Sequence, residues 1–151
     1  MPVLDDALLS RIHSRAAQID RDSAFPWEDI EDLKAAGYFT LMAPKERGGG
    51  GLTLREMTEV QMDLAGASPA TALAVNMHQV WMGVARTMAA RNDSAADFLI
   101  DAALDGEIFA FGISEAGNDL VLFGSTSEAR PDGEGGYSFH GTKIFTSLSP
   151  A

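Results

Sequence analysis

The stretches Gly106-Glu-Ile-Phe-Ala-Phe-Gly-Ile113-Ser114-Glu115-Ala-Gly117-Asn118-Asp119 and Gly136-Tyr137-Ser-Phe-His-Gly141-Thr-Lys143-Ile-Phe145-Thr-Ser147 decide how this chain is read. Ile108 to Ile113 is a short apolar run bounded by glycine and polar residues. Ser125 to Arg130 and Tyr137 to Phe145 alternate, and Pro131-Asp-Gly-Glu-Gly-Gly136 between them is rich in turn residues. This pattern predicts the beginning of an antiparallel sheet. Before Gly106 the apolar residues instead recur at helical spacing. Helices first and strands second predict an α+β chain, with an α-helical domain over residues 1–106 and the beginning of a β-sheet over 107–151. No strand-to-helix Gly-x-Gly-x-x-Gly is present, which disfavours a doubly wound nucleotide fold.

Working back from Gly106, the helical half shows five segments. Leu8, Ile12, Ala16 and Ile19 line one face of a helix between Asp5 and Asp22. Pro26 suits the first turn of a second helix, which carries Trp27, Ile30 and Leu33 and is ended by Gly37. Pro44 to Gly51 then breaks regular structure, predicting a mobile or tightly turned loop. Its four successive glycines lead into Leu52-Thr53-Leu54 and lack the Gly-Lys-Ser/Thr of a phosphate-binding loop, so a turn is the better reading. Thr53 and Glu56 form a capping box with a Leu52–Met57 staple, predicting a third helix from Leu54 that buries Met57, Val60 and Leu64. Ser68 and Pro69 start a fourth, in which Ala72, Leu73, Val75, Met77, Val80, Trp81, Val84 and Met88 leave little polar face. That helix is expected to be central and buried on most sides. Its polar pair His78-Gln79 either hydrogen-bonds within the core or faces a cavity. A fifth helix is expected from Asp93 or Ser94 to Gly106, burying Phe98, Leu99 and Ala102.

Composition narrows the partners. The 151 residues include 22 Asp and Glu against 11 Lys and Arg, a net charge of -11 that opposes nucleic acid and anionic lipid surfaces. The absence of cysteine removes disulfides and thiolate metal sites, and the three histidines form no ligand-spaced pair. The amino terminus lacks the basic and apolar regions of a signal peptide, and no stretch is apolar enough to span a membrane, so the cytoplasm is the expected compartment.

The loop from Ser114 to Asp119 is built of small and hydrogen-bonding residues directly after a predicted strand. Its amides could hold a polar ring edge or a pyrophosphate, although on spacing alone an ordinary Asx-type turn is the simpler reading. The ordered set of Phe25-Pro26, the Pro44 to Gly51 loop, Ser68-Pro-Ala, Phe109-Ala-Phe-Gly-Ile-Ser-Glu and Gly136-Tyr-x-Phe-x-Gly-x-Lys143 resembles acyl-CoA dehydrogenases along the whole chain. The resemblance implies a helical bundle followed by the start of an antiparallel β-barrel-like domain, truncated before a C-terminal helical domain. It also implies FAD as cofactor. Phe111, Ile113 and Ser114 would line the isoalloxazine ring, Gly117 and Asn118 would approach the pyrophosphate, and Phe145, Thr146 and Ser147 would cover the flavin near N5. Lys143 would be a structural strand lysine.

The function implied is α,β-dehydrogenation of an acyl-CoA or similar thioester by a homodimer or homotetramer. The catalytic carboxylate would lie beyond Ala151, so these 151 residues alone are expected to be inactive. Two departures stand out. The family pattern Thr-Glu-Pro-x-x-Gly-Ser-Asp is replaced by the shorter Ser114-Glu-Ala-Gly-Asn-Asp119, and a position commonly tryptophan is Phe145. Flavin monooxygenases of the same fold also vary here and supply the alternative function. A non-enzymatic helical module, pairing through open sheet edges, is a third.

Overall fold

The computed structural model describes residues 3–117 and 124–151. The helical part comprises α1 (Asp6–Asp22), α2 (Trp27–Ala35), short 3-10 turns at Tyr38–Thr40 and Lys45–Arg47, α3 (Leu54–Ala67), α4 (Pro69–Ala89) and α5 (Asp97–Leu104). Local chemistry sets several boundaries. Asp5 caps α1 by accepting the Leu8 amide at 2.7 Å. Gly37, at φ 73°, takes the left-handed conformation just past α2. The predicted box at α3 is reciprocal: the Glu56 carboxylate accepts the Thr53 amide at 2.8 Å, and Thr53 Oγ1 accepts the Glu56 amide at 3.3 Å. Ser68 Oγ caps α4 by accepting the Thr71 amide, with Pro69 in the first turn.

Helix α4 packs against α1, α2, α3 and α5. Ile12, Ile30, Leu33, Leu64, Val75, Met82 and Ile100 are fully buried between them. Burying each such side chain contributes about 2 kcal/mol before the cost of ordering it. A polar knot crosses this core. Asp29, fully buried, accepts Arg15 Nε at 2.7 Å and Thr71 Oγ1 at 2.6 Å, which joins α1, α2 and the start of α4 around a compensated charge.

The glycine loop is tightly turned. The amides of Gly48, Gly49, Gly50 and Gly51 donate to the carbonyls of Lys45, Pro44, Thr40 and Ala43. They are therefore unavailable to cradle a phosphate. A Cβ on Gly49 would lie 2.3 Å from the Ala43 carbonyl oxygen, and one on Gly50 2.7 Å from that of Leu41, so the close approach itself requires glycine.

Three helical expectations need correction. Helix α5 begins at Asp97, because Asp93 folds its side chain onto the Ala95 amide and residues 93–96 form a turn. It buries Ile100 and Ala103, while Phe98 is 64% exposed; the apolar stripe reads almost equally well in either register. Helix α4 is central but leaves Leu73, Val80 and Val84 exposed along one side.

The strand half departs further. Strands β1 (Glu128–Pro131) and β2 (Tyr137–His140) form an antiparallel hairpin pairing Glu128 with His140 and Pro131 with Tyr137. Its turn is held by Asp132, whose carboxylate accepts the amides of Glu134 and Gly136 at 2.8 and 2.9 Å. Every residue of both strands is exposed. Among the described residues the sheet is this hairpin plus an isolated Ser114–Ile144 bridge, not a closed barrel. Ile108 to Ile113 forms no ladder among the described residues; its Phe109 amide and Ala110 carbonyl are engaged instead by His78 and Trp81 of α4. Strand β1 starts at Glu128 rather than Ser125, because the preceding amides turn toward Glu115. No described helix is long and apolar enough to cross a membrane.

Candidate cofactor-binding site

The segment leaving α5 lies along α4 and is fastened there by two ring systems. The Phe109 amide donates to His78 Nδ1 at 3.1 Å, which leaves the proton on Nε2 to be donated to the Phe39 carbonyl at 2.8 Å. The imidazole is fully buried, stacks on Phe109 at 5.1 Å and meets Phe39 edge to face at 5.0 Å. Burial pushes its pKa down to about 4, outweighing the opposing effect of the Phe39 hydrogen bond. His78 is thus a neutral strut. Three residues on, Trp81 Nε1 donates to the Ala110 carbonyl at 3.1 Å, and the indole meets Phe111 edge to face at 5.0 Å.

The polar pair of α4 therefore divides its roles. His78 belongs to the core. Gln79 donates to the Tyr38 carbonyl at 3.1 Å, and its Oε1 has no partner among the described residues. It edges a groove of about 290 Å³ between α3 and α4, alongside Met42, Leu54, Met57 and Val80.

Beyond Phe111 the chain meets the segment after β2. The Ile144 amide donates to the Ser114 carbonyl at 2.9 Å in an antiparallel bridge. Antiparallel counting from that pair sets Glu115 opposite Lys143, Ile113 opposite Phe145 and Gly112 opposite Thr146. Both ends agree with the contacts. Lys143 Nζ lies 2.6 Å from Glu115, and a Cβ on Gly112 would sit 3.1 Å from Thr146 Oγ1. Ile113, Ser114, Phe145 and Thr146, four of the residues expected around the flavin, are therefore gathered on two adjacent segments.

This edge has the chemistry of a polar ring-binding surface. Among the described residues the amides of Gly112, Ile113 and Ser114 donate to no protein acceptor, and the hydroxyls of Ser114, Thr146 and Ser147 make no protein hydrogen bond. These groups suit a heteroaromatic edge bearing carbonyl oxygens and ring nitrogens, so the donor set fits an isoalloxazine. Phe145 adds an apolar face. It is 83% exposed and held at φ 57°, a left-handed conformation costly for an aromatic residue. Ser147 is half-buried and donates its amide to the Phe145 carbonyl at 3.0 Å. Phe111 sits on Trp81, at the α4 end of the same segment. Gly117 occupies an exposed turn at φ 74°. Asn118, expected near the pyrophosphate, lies outside the described residues.

Sequence reasoning missed the most connected group. Glu115, 6% exposed, accepts Ser125 Oγ at 2.6 Å, Thr126 N and Oγ1 at 2.6 and 2.7 Å, Ser127 N and Oγ at 3.0 and 2.6 Å, and Lys143 Nζ at 2.6 Å. The Lys143 hydrogen bond, followed by those of Ser125, Ser127 and Thr126, holds its carboxyl far below the usual carboxylate range. The available signal was a lone acid facing the hydroxyl run Ser125-Thr-Ser127 and a strand lysine.

Residues 4–102 match the family described as acyl-CoA dehydrogenase, N-terminal domain. The chain is 29% identical over 150 residues to YdbM of Bacillus subtilis (strain 168), provisionally named an acyl-CoA dehydrogenase, covering 90% of this chain and 36% of that protein. It is 31% identical to the L-evernosamine nitrososynthase of a Micromonospora species, covering 95% of this chain and 34% of the other. It is 24% identical to the 3-(aryl)acrylate reductase of Clostridium sporogenes, covering 89% and 36%. The chain spans roughly a third of the length of these curated relatives. With the family match extending over most of its residues, the chain belongs to the acyl-CoA dehydrogenase family.

Proposed function

We propose that this chain is the N-terminal part of an FAD-dependent acyl-CoA dehydrogenase-like oxidoreductase. The observation that carries the reading is the Gly112–Glu115 segment facing Lys143–Thr146, where the amides of Gly112, Ile113 and Ser114 and the hydroxyls of Ser114 and Thr146 have no protein partner among the described residues and an exposed aromatic adjoins them. Ser114 and the neighbouring amides would hold the pyrimidine side of the ring, Thr146 and Ser147 would lie near N5, and Phe111 and Phe145 would supply apolar contact. Gly117 and Asn118 would approach the pyrophosphate. When bound, the flavin supplies the hydride acceptor for α,β-dehydrogenation of an acyl-CoA or similar thioester. The chain's own residues bind and orient; the carboxylate that removes the α-proton comes from outside residues 1–151. On this reading residues 1–106 are a helical domain and 107–151 the first part of a β-domain. The whole protein is a cytoplasmic homodimer or homotetramer. With a net charge of -11 here, the cations that receive CoA phosphates come mainly from elsewhere in the protein.

A second reading has a specific observation behind it. A relative at 31% identity is named a nitrososynthase, and the Ser114–Asp119 loop departs from the dehydrogenase pattern. Formation of a nitroso group requires oxidation at nitrogen, which suits a flavin monooxygenase. The visible spectrum of the full-length protein, recorded anaerobically before and after addition of mixed acyl-CoA thioesters, separates the two. Bleaching of a bound flavin supports dehydrogenation. A flavin that stays oxidised with thioesters, but consumes oxygen once reduced, supports the monooxygenase. A full-length protein with no affinity for flavin overturns both.

A further inference from the structure

We propose that Glu115 is the positioning residue of the flavin edge: by drawing Lys143 and the Ser125–Ser127 segment onto one buried carboxylate, it sets the register in which Ser114 faces Ile144 and Gly112 faces Thr146. The inference rests on the flavin reading above and adds a residue to it. The backbone alone holds this register weakly. One bridge with one hydrogen bond, Ile144 N to Ser114 O, joins the two segments, and such a bond has a small net value in water. A slip of one residue would put the Ser114 and Thr146 side chains on opposite faces.

Glu115 removes that freedom. It directly follows the bridged Ser114, and Lys143 directly precedes the bridged Ile144, so the observed pairing sets the two side chains opposite one another and their 2.6 Å contact favours that register. The carboxylate is 2% exposed at its side chain, whereas Lys143 retains 32%. Its oxygens are further occupied by the hydroxyls of Ser125, Thr126 and Ser127 and by the amides of Thr126 and Ser127. Lys143 Nζ also donates to Ser125 Oγ at 3.0 Å, closing the ring of contacts. A buried carboxylate satisfied in this way resists any movement that would strip its donors, because the charge would be left uncompensated. Three chain segments thus meet at one group, one residue away from the hydroxyl expected to touch the cofactor. Glu115 reaches no ring atom itself; it acts through Ser114 and Thr146.

The test uses full-length protein, with FAD as the probe. Glu115→Gln keeps the side chain's shape but removes its charge, and Lys143→Met removes the partner while leaving the acid. Both should weaken FAD binding about tenfold or more, by analogy with the loss seen when the partners that orient metal ligands are removed. Both should also change the band shape and circular dichroism of the bound flavin. Lys143→Arg, which keeps a cation opposite Glu115, should restore affinity and spectrum. Flavin affinity and spectrum unchanged in both Glu115→Gln and Lys143→Met would overturn the inference while leaving flavin binding established. Wild-type protein that takes up no FAD would overturn the flavin reading, and this inference with it. If Glu115→Gln fails to fold, Lys143→Met against Lys143→Arg decides: equal flavin spectra reject the positioning role.

Discussion

The helical part and the segment after Gly106 are stabilised by different physics. Between Leu4 and Ala103 the chain buries a continuous apolar core, whereas among the described residues after Gly106 Leu148 alone joins it as a fully buried hydrophobic side chain. The strands expose every residue, and Tyr137, Phe139 and Phe145 are 62%, 78% and 83% exposed. What holds this second region is polar: the Glu115 cluster, the Asp132 turn and the pinning of Phe109 to Phe111 on α4. A core of apolar contacts tolerates small shifts. A surface held by charge-assisted hydrogen bonds is geometrically exacting, which suits the presentation of hydroxyls to a ligand.

His78→Ala attacks a buried residue of α4 that, with Trp81, fastens the second region to the first, and should give the largest effect. It removes a buried ring, strands the Phe39 carbonyl and releases the Phe109 amide, at a cost of about 3–5 kcal/mol in chemical denaturation. A loss below about 1 kcal/mol would mean that the two regions are not coupled through α4. Acid should probe the same link. The His78 pKa is depressed to about 4 in the folded chain, against about 6.5 when unfolded, so the unfolded state binds the extra proton between these values. Its contribution is present in full above the unfolded pKa and is lost as pH falls from about 6.5 through about 4, on the order of 3 kcal/mol in total. The Glu115 carboxyl, also depressed, loses its contribution only at lower pH. Stability measured at steps through this window should therefore slope, and His78→Gln should flatten the upper part of the slope.

Smaller effects sharpen the contrast. Phe145→Gly should relieve the left-handed backbone and gain about 1 kcal/mol in local stability while weakening flavin binding, a trade-off visible by comparing amide exchange near residue 145 with cofactor titration. Equal or lower stability would indicate that Phe145 is held by contacts, not strained. Arg130→Ala removes an ion pair in which both partners are 62% exposed, and should shift stability by about 0.5 kcal/mol or less.

Much of the helical half was legible because its signals are local. Apolar spacing placed α1 to α4, the Thr53–Glu56 box marked the start of α3, and Ser68-Pro69 marked that of α4. The face of α5 was misread because Phe98, Leu99 and Ile100 adjoin, and only packing against α4 chooses among them. Ile113, Ser114, Phe145 and Thr146 stood out within motifs, yet their convergence was not legible. Ser114 and Ile144 are separated by 29 residues, and nothing in either segment alone states the register.

By itself the sequence determined the succession of helices and then strands, the caps of α3 and α4, the turn at Pro44–Gly51, and a family resemblance that the comparisons confirm. These follow from interactions within a few residues, where backbone sterics and hydrophobic periodicity act directly. Tertiary structure decided which of His78's nitrogens carries the proton, which face of α4 stays exposed, and that Glu115 gathers Ser125, Thr126, Ser127 and Lys143. Each of those depends on groups distant in sequence meeting in a dry environment, where an unpaired polar atom costs more than any local propensity can offset.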